Sequence, residues 1–189
     1  GDNSMWIATS NYGLIHIEGD IRNPSTLKYY NYSFYNKRML TNNVLCLHID
    51  KSGRLWVGTE GGGIYLYNRQ NDRFEEKNQE YNIPGDMVGS IEEDKNGNLW
   101  MTSSEVNHAV LVLDKAGAWH RLDIEQLRGV YTINDILITS TNDKWIYVPR
   151  NTPKLVMIPN SESLDEVSSY EFTTLIDTDG KESVSYTHL

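Results

Sequence analysis

Four short apolar runs, each with tryptophan as its second residue, recur along the chain: Met5-Trp6-Ile7-Ala8-Thr9, Leu55-Trp56-Val57-Gly58-Thr59, Leu99-Trp100-Met101-Thr102-Ser103 and Lys144-Trp145-Ile146-Tyr147-Val148. The tryptophans stand at intervals of 50, 44 and 45 residues. Repeats of roughly 40–50 residues with several short strands each are the signature of β-propeller blades, whereas helical repeats of that length need amphipathic stretches that this chain lacks. The expected fold is therefore all-β, with about four blades of four-stranded antiparallel sheets.

The second copy gives the unit most clearly. Val44 to Asp50 alternates as a strand, Asp50-Lys51-Ser52-Gly53 turns the chain, and Leu55 to Thr59 returns antiparallel. Gly61 to Gly63 makes the next turn, Ile64 to Tyr67 runs out, and Arg73 to Glu76 forms a more polar outer strand. The third copy repeats the plan with Val88–Asp94, Leu99–Ser103, Ala109–Asp114 and Ala118–Leu122. The fourth is degenerate: Ile133–Thr139 and the Trp145 strand are followed by Lys154–Ile158, an insertion at Pro159–Glu166, and Tyr170–Ile176. In it Tyr147 stands where the second copy has Gly58. The first copy begins at its second strand, so the expected blades are a partial one over 5–40, then 41–83, 84–128 and 129–177, with a tail at 178–189. Two short segments, Asp123–Leu127 and Ser161–Glu166, read equally as single capped helical turns or as polar loops. Tyr29, Tyr30, Tyr32 and Tyr35 read as strand and packing residues of the long connection after the first copy.

Composition agrees with half-buried sheets: 12 Tyr and 5 Trp stand against 3 Phe, favouring rings that keep a polar edge near water. The net charge of -9 and the lack of any Lys/Arg stripe argue against nucleic acid as a partner. No apolar run nears the roughly 20 residues of a membrane span, so no membrane contact by this segment is expected. The single cysteine, Cys46, cannot form an internal disulfide and reads as a small buried side chain.

The opening aliphatic strand, Asp-x-x-Gly, Leu-Trp-Val-Gly-Thr and Gly-Gly-Gly-Ile of Asn43 to Tyr67, repeated more loosely in Val88 to Leu113, resembles the regulator-propeller repeat. That repeat is common in the periplasmic half of hybrid two-component sensors. The resemblance implies part of a larger seven-bladed ring, an extracytoplasmic sensor of an oligosaccharide or partner domain, and a parent protein anchored in the inner membrane with a kinase beyond it. Val184 to Leu189 reads either as the first strand of a further blade or as a translated adapter sequence. Four blades alone leave two apolar faces bare, so the expected outcomes are a homo-oligomer, a ring closed by Val184–Leu189 beside Met5–Thr9, or poor solubility.

Site chemistry is sparse. The Asp-x-x-Gly turns and Asp177–Glu182 lack the full calcium loop and read as tight turns. His16, His48, His108, His120 and His188 show no metal-binding spacing, with His48 read as a structural or channel-lining group on an inner strand. No nucleophile elbow or phosphate-binding loop occurs, so neither a cofactor, a metal nor a catalytic residue is assigned. Propeller ligands bind on the face built by the loops between second and third strands and by the blade-to-blade connections. That places Asn11, Tyr12, Glu60, Glu105, Asn107, His108, Arg150 and Asn151 at one mouth, a mixture of rings, amides and carboxylates suited to a saccharide. The competing readings are a propeller lyase similar to the streptogramin lyases, for which His108 and Glu105 are the only local pair, and a non-catalytic scaffold.

Overall fold

The structure, a computed structural model, describes residues 4–77, 86–105, 107–130, 133, 135–149, 154–161, 163–164 and 167–172. Within them the chain forms four antiparallel sheets in succession. The first holds β1 (Ser4–Thr9), β2 (Gly13–Glu18) and β3 (Lys28–Tyr32), in that order. The second holds β4 (Val44–Ile49), β5 (Leu55–Thr59), β6 (Ile64–Asn68) and β7 (Arg73–Glu76). The third holds β8 (Ile91–Glu93), β9 (Leu99–Thr102), β10 (Val110–Leu113) and β11 (Trp119–Leu122), and the fourth β12 (Asp135–Ile138), β13 (Lys144–Val148), β14 (Lys154–Ile158) and β15 (Tyr170–Phe172). The first strands of successive sheets, β4, β8 and β12, stand side by side, and β1 lies against β4. This is the all-β blade arrangement that the tryptophan repeat predicts.

The repeat works because each of the first three tryptophan sheets is covered by the next. Trp6 packs with Leu55, Val57, Tyr65 and Phe74 of the second blade, and Trp56 with Ile91, Leu99, Met101 and Leu111 of the third. Trp100 packs with Ile136, Ile146, Val148 and Val156 of the fourth. Gly58 is required at this contact, since a Cβ there would lie 2.4 Å from Cys46 Sγ and 2.5 Å from the Val88 carbonyl. In the fourth blade Tyr147 occupies the same position without conflict because no further blade lies over it among the described residues, and its side chain is exposed.

The Asp-x-x-Gly segments are more than turns. Asp50 accepts from the backbone N–H of Ser52 (3.0 Å) and Arg54 (2.9 Å), from Arg54 Nε (2.6 Å) and from the indole Nε1 of Trp56 (2.9 Å). Asp94 does the same for Asn96, Asn98 and Trp100, the indole at 3.0 Å. A buried indole N–H needs a partner, and an aspartate six residues upstream provides one while shaping the turn. Burial pushes both carboxyls up, but the indole, the turn N–H groups and the neighbouring cations outweigh it and hold them below the usual carboxylate range. In the fourth blade Thr139 takes over the turn, its hydroxyl accepting from Asp143 N at 3.1 Å.

Several expectations need correction. β8 begins at Ile91 rather than Val88, because Val88 N bonds Thr59 O of the preceding blade and Ser90 N is taken by the Thr102 hydroxyl. The turn expected over Asp123–Leu127 is a 3-10 turn at Glu125–Leu127 whose N-cap, Ile124, makes no side-chain cap bond. A second such turn, Pro24–Thr26, with the Asn23 side chain accepting from Ser25 N, went unread. Among the described residues of 161–166 no helical turn forms. Tyr29, Tyr30 and Tyr32 lie in β3, but Tyr35 is an exposed loop residue at 83%. Val184–Leu189, Asp177–Glu182 and His188 lie outside the described residues.

Two apolar faces stand open. On the fourth blade, cross-strand register puts Leu137, Trp145, Tyr147, Leu155, Met157, Tyr170 and Phe172 on one side. Leu137 is 61% and Tyr170 54% exposed there. On the first blade Met5 and Ile7 of β1 are exposed on the side away from the second blade.

Candidate functional site

The antiparallel alternation of strands puts the turns after β1, β5 and β9 and the blade-to-blade connections at one end of the arc. Of the sequence-predicted mouth residues, Asn11, Tyr12, Glu60, Glu105, Asn107 and His108 sit in those turns. Tyr12 is 74% exposed, and its carbonyl accepts from Asn31 Nδ2 at 2.7 Å. Among the described residues Asn11 reaches only the neighbouring Ser10 hydroxyl, at 3.5 Å. Glu60 is held by the Asn43 side-chain amide and by its own N–H to Asn43 O at 3.0 Å, and it bridges to Met87 of the next blade. These three residues are separate surface groups that do not meet in a common pocket among the described residues.

Glu105 and His108 come together. The second blade makes a short turn here, whereas the third has a longer segment between β9 and β10, with Asn107 at φ 71°. His108 N bonds Glu105 O at 3.3 Å, and His108 Nδ1 lies 3.4 Å from Glu105 Oε1. Ser103 Oγ fixes the backbone N–H of Glu105 at 3.1 Å. Glu105 Oε2 and His108 Nδ1 are buried and without a hydrogen-bond partner among the described residues. Such atoms cost about 1–3 kcal/mol each when left unsatisfied, a cost that an incoming donor or acceptor removes. Asn107 is exposed beside the pair, and Arg150 and Asn151 lie outside the described residues.

The sequence reading missed Asp123 and Arg128, which belong to the same end of the third blade. They form a bidentate pair, Nε–Oδ1 2.8 Å and Nη2–Oδ2 2.7 Å. The rule that connections between blades line the mouth points to them, but the residues named from the sequence all come from the segments between second and third strands. Arg128 holds the Asp123 carboxyl below its usual range, with His108 contributing to the same effect.

A second polar group lines the inner strands. His48 on β4, Glu92 on β8 and Asp135 on β12 occupy the adjacent first strands, and Ser90 Oγ donates to Asp135 Oδ1 at 3.0 Å. His48 Nε2 is buried without a partner among the described residues. Burial pushes the Glu92 carboxyl up, His48 opposes that, and Asp135 adds to it. Nearby, burial pushes the Cys46 thiol up to about 12. His16 is instead a packing residue, stacked on Trp6 at 3.7 Å. Among the described residues no three His, Cys, Asp or Glu side chains gather to hold a metal ion.

An arc of three- and four-stranded antiparallel sheets, with the tryptophans of the second and third bonded to their own turn aspartates, defines a β-propeller. Residues 39–61 and 82–105 match the family model described as Two component regulator propeller, so the chain carries those repeats. Among solved structures it is similar to PorZ of Porphyromonas gingivalis, a surface component of the type-IX secretion system, at 15% identity and a TM-score of 0.71 over 96% of this chain. It is also similar to the extracellular domain of BT3049 from B. thetaiotaomicron, assigned to a hybrid two component system, at 17% identity and a TM-score of 0.56 over 95% of this chain. The chain spans 28% of the length of each of these proteins. No curated protein matches it by sequence.

Proposed function

We propose that the chain is part of the extracytoplasmic sensing propeller of a two-component regulator, binding an oligosaccharide or partner domain at the mouth around Glu105, Asn107 and His108. The observation that carries the binding reading is the paired Glu105 and His108, whose Oε2 and Nδ1 atoms are buried without a hydrogen bond among the described residues at the end of the fold that carries the turns after second strands. The regulator-type repeats and the likeness to an extracellular domain of a hybrid two component system support the sensor assignment and a periplasmic location. Asn11, Tyr12 and Glu60 extend the same mouth along the arc, and Arg150 and Asn151 are proposed to join it. In this reading the chain binds rather than catalyses, and the kinase and membrane anchor belong to the parent protein.

Screening the chain against a glycan panel tests this. At least one saccharide is expected to bind, with about tenfold loss in Glu105→Gln or His108→Ala, equal to about 1.4 kcal/mol. Binding that neither substitution changes would remove the mouth from the reading. No binding to any saccharide would favour the scaffold alternative, which the likeness to a secretion-system surface component supports. The lyase alternative predicts metal-dependent turnover that His108→Ala abolishes.

A further inference from the structure

The opposite end of the arc, built by turns between first and second strands and between third and fourth strands, carries a cleft of about 590 Å³. Its walls are the β8–β9 turn (Asn96, Asn98), the β10–β11 turn with His120 (Asp114, Lys115, Ala116), and Ser163 and Leu164 of the fourth-blade insertion. Its size falls within the roughly 300–1,000 Å³ of small-molecule sites.

Two of the lining groups are already saturated. Asp114 Oδ1 accepts from the N–H of Ala116 (2.9 Å) and Ala118 (2.8 Å), and Oδ2 lies 3.0 Å from His120 Nε2. Asn98 donates to Asp94 and accepts from Lys115 N at 3.2 Å. The imidazole and the two turn N–H groups hold the Asp114 carboxyl below its usual range, so it stays ionised with its charge compensated in place. An ionised Asp114 fixes Nε2 of His120 as the protonated nitrogen and leaves Nδ1 as an acceptor. The groups without a partner among the described residues are then His120 Nδ1, the Asn96 amide and the Lys115 ammonium. One cation, one amide and one acceptor converge on a cleft whose apolar wall is Ala116 and Leu164. This set matches a ring with hydroxyls, a C–H face and one carboxylate.

We propose that this cleft is a second binding site, distinct from the mouth, for a small carboxylate-bearing polyol. Lys115 pairs with the carboxylate, Asn96 and His120 Nδ1 take hydroxyls, and Asp114 positions His120.

Titrating the isotope-labelled full chain by NMR with D-glucuronate, D-glucose and acetate tests it. D-glucuronate is expected to shift the amides of Asn96, Lys115, His120 and Leu164, and to bind at least tenfold more tightly than either D-glucose or acetate. Lys115→Gln erases the preference for glucuronate over glucose, and Asn96→Ala weakens both. Both positions are exposed turn residues, so the variants keep the fold. Glu105→Gln leaves these shifts unchanged, which separates this site from the mouth. Equal binding of glucose and glucuronate, no shift at these amides, or full retention of the preference in Lys115→Gln would overturn the proposal while leaving the sensor reading intact.

Discussion

Replacing Asp50 by alanine tests the bond between turn and tryptophan that the second and third blades share. The substitution removes a carboxylate that accepts from four donors at 2.6–3.0 Å. The two turn N–H groups and the half-exposed Arg54 regain water, so each costs only the modest net value of a hydrogen bond. The Trp56 indole does not: the residue is 3% exposed, and its N–H is left buried and unpaired. Adding about 1–3 kcal/mol for that orphan to the lost turn bonds gives a cost of about 3–5 kcal/mol. For a chain of this size that lowers Tm by about 10 °C. Thermal unfolding followed by tryptophan fluorescence measures it. The same bond gives an acid signature. The folded-state pKa of Asp50 is depressed, so its stabilisation is complete above the unfolded value near 3.8 and is lost as pH falls through the lower folded value. Between pH 5 and pH 2 the parent should therefore lose more stability than Asp50→Ala does. A variant melting within 3 °C of the parent, or one with the same acid slope, would refute the idea that this carboxylate secures the blade.

Three further outcomes follow from the blade contacts. Gly58→Ala forces the second and third blades apart, because its Cβ would meet Cys46 Sγ and the Val88 carbonyl at 2.4 and 2.5 Å; about 1–3 kcal/mol of stability should go, and a Tm within 1 °C of the parent would contradict this. Cys46, its thiol pushed up to about 12 by burial, should react with a disulfide reagent at pH 8 at least 100-fold more slowly in the folded chain than in urea, and equal rates would refute the burial. The open fourth-blade face should drive self-association: light scattering is expected to give a mass above 21.7 kDa at high concentration, returning to that value in Leu137→Glu with Phe172→Glu, and a parent that stays at monomer mass would refute it.

The strands were legible because their signal is local. Tryptophan at the second position of a short apolar run, followed by a turn residue, specifies β5, β9 and β13 within a residue or two. The Asp-to-Trp bond was equally present in the sequence, as a six-residue spacing in Asp50/Trp56 and Asp94/Trp100, and again in Asp114/His120. Reading Asp-x-x-Gly only as turn chemistry hid it, since a carboxylate can shape a turn with one oxygen and hold an indole with the other. The start of β8 was illegible because the hydroxyl that claims Ser90 N comes from Thr102, twelve residues away on a neighbouring strand. The cleft was illegible for the same reason: Asn96, Lys115 and Leu164 converge only when the third and fourth blades are set beside each other.

Bonds between blades decide where such an arc can move. At the cleft end, Lys51 N donates to Glu93 Oε2 at 2.6 Å, and Lys95 N donates to Asn142 Oδ1 at 2.9 Å, so one lysine of each Asp-Lys-x-Gly turn grips the next blade. Lys144, 1% exposed, lies 3.3 Å from the equally buried Asp94 and 4.5 Å from the Trp100 ring centre, adding a buried tie between the third and fourth blades. At the mouth end, Gly61 N and Gly63 N both donate to Asp86 O at 2.8 Å, joining the second blade to the start of the third. The second and third blades are thus fastened at both ends of their strands, and bending between them would break charge-assisted bonds at one end or backbone bonds at the other. The first blade is tied to the second through Arg38 and Tyr32, which share Asp72. If a ligand binds at the proposed mouth, the two open blade faces, which carry no such ties among the described residues, are where its effect would reach whatever adjoins the arc.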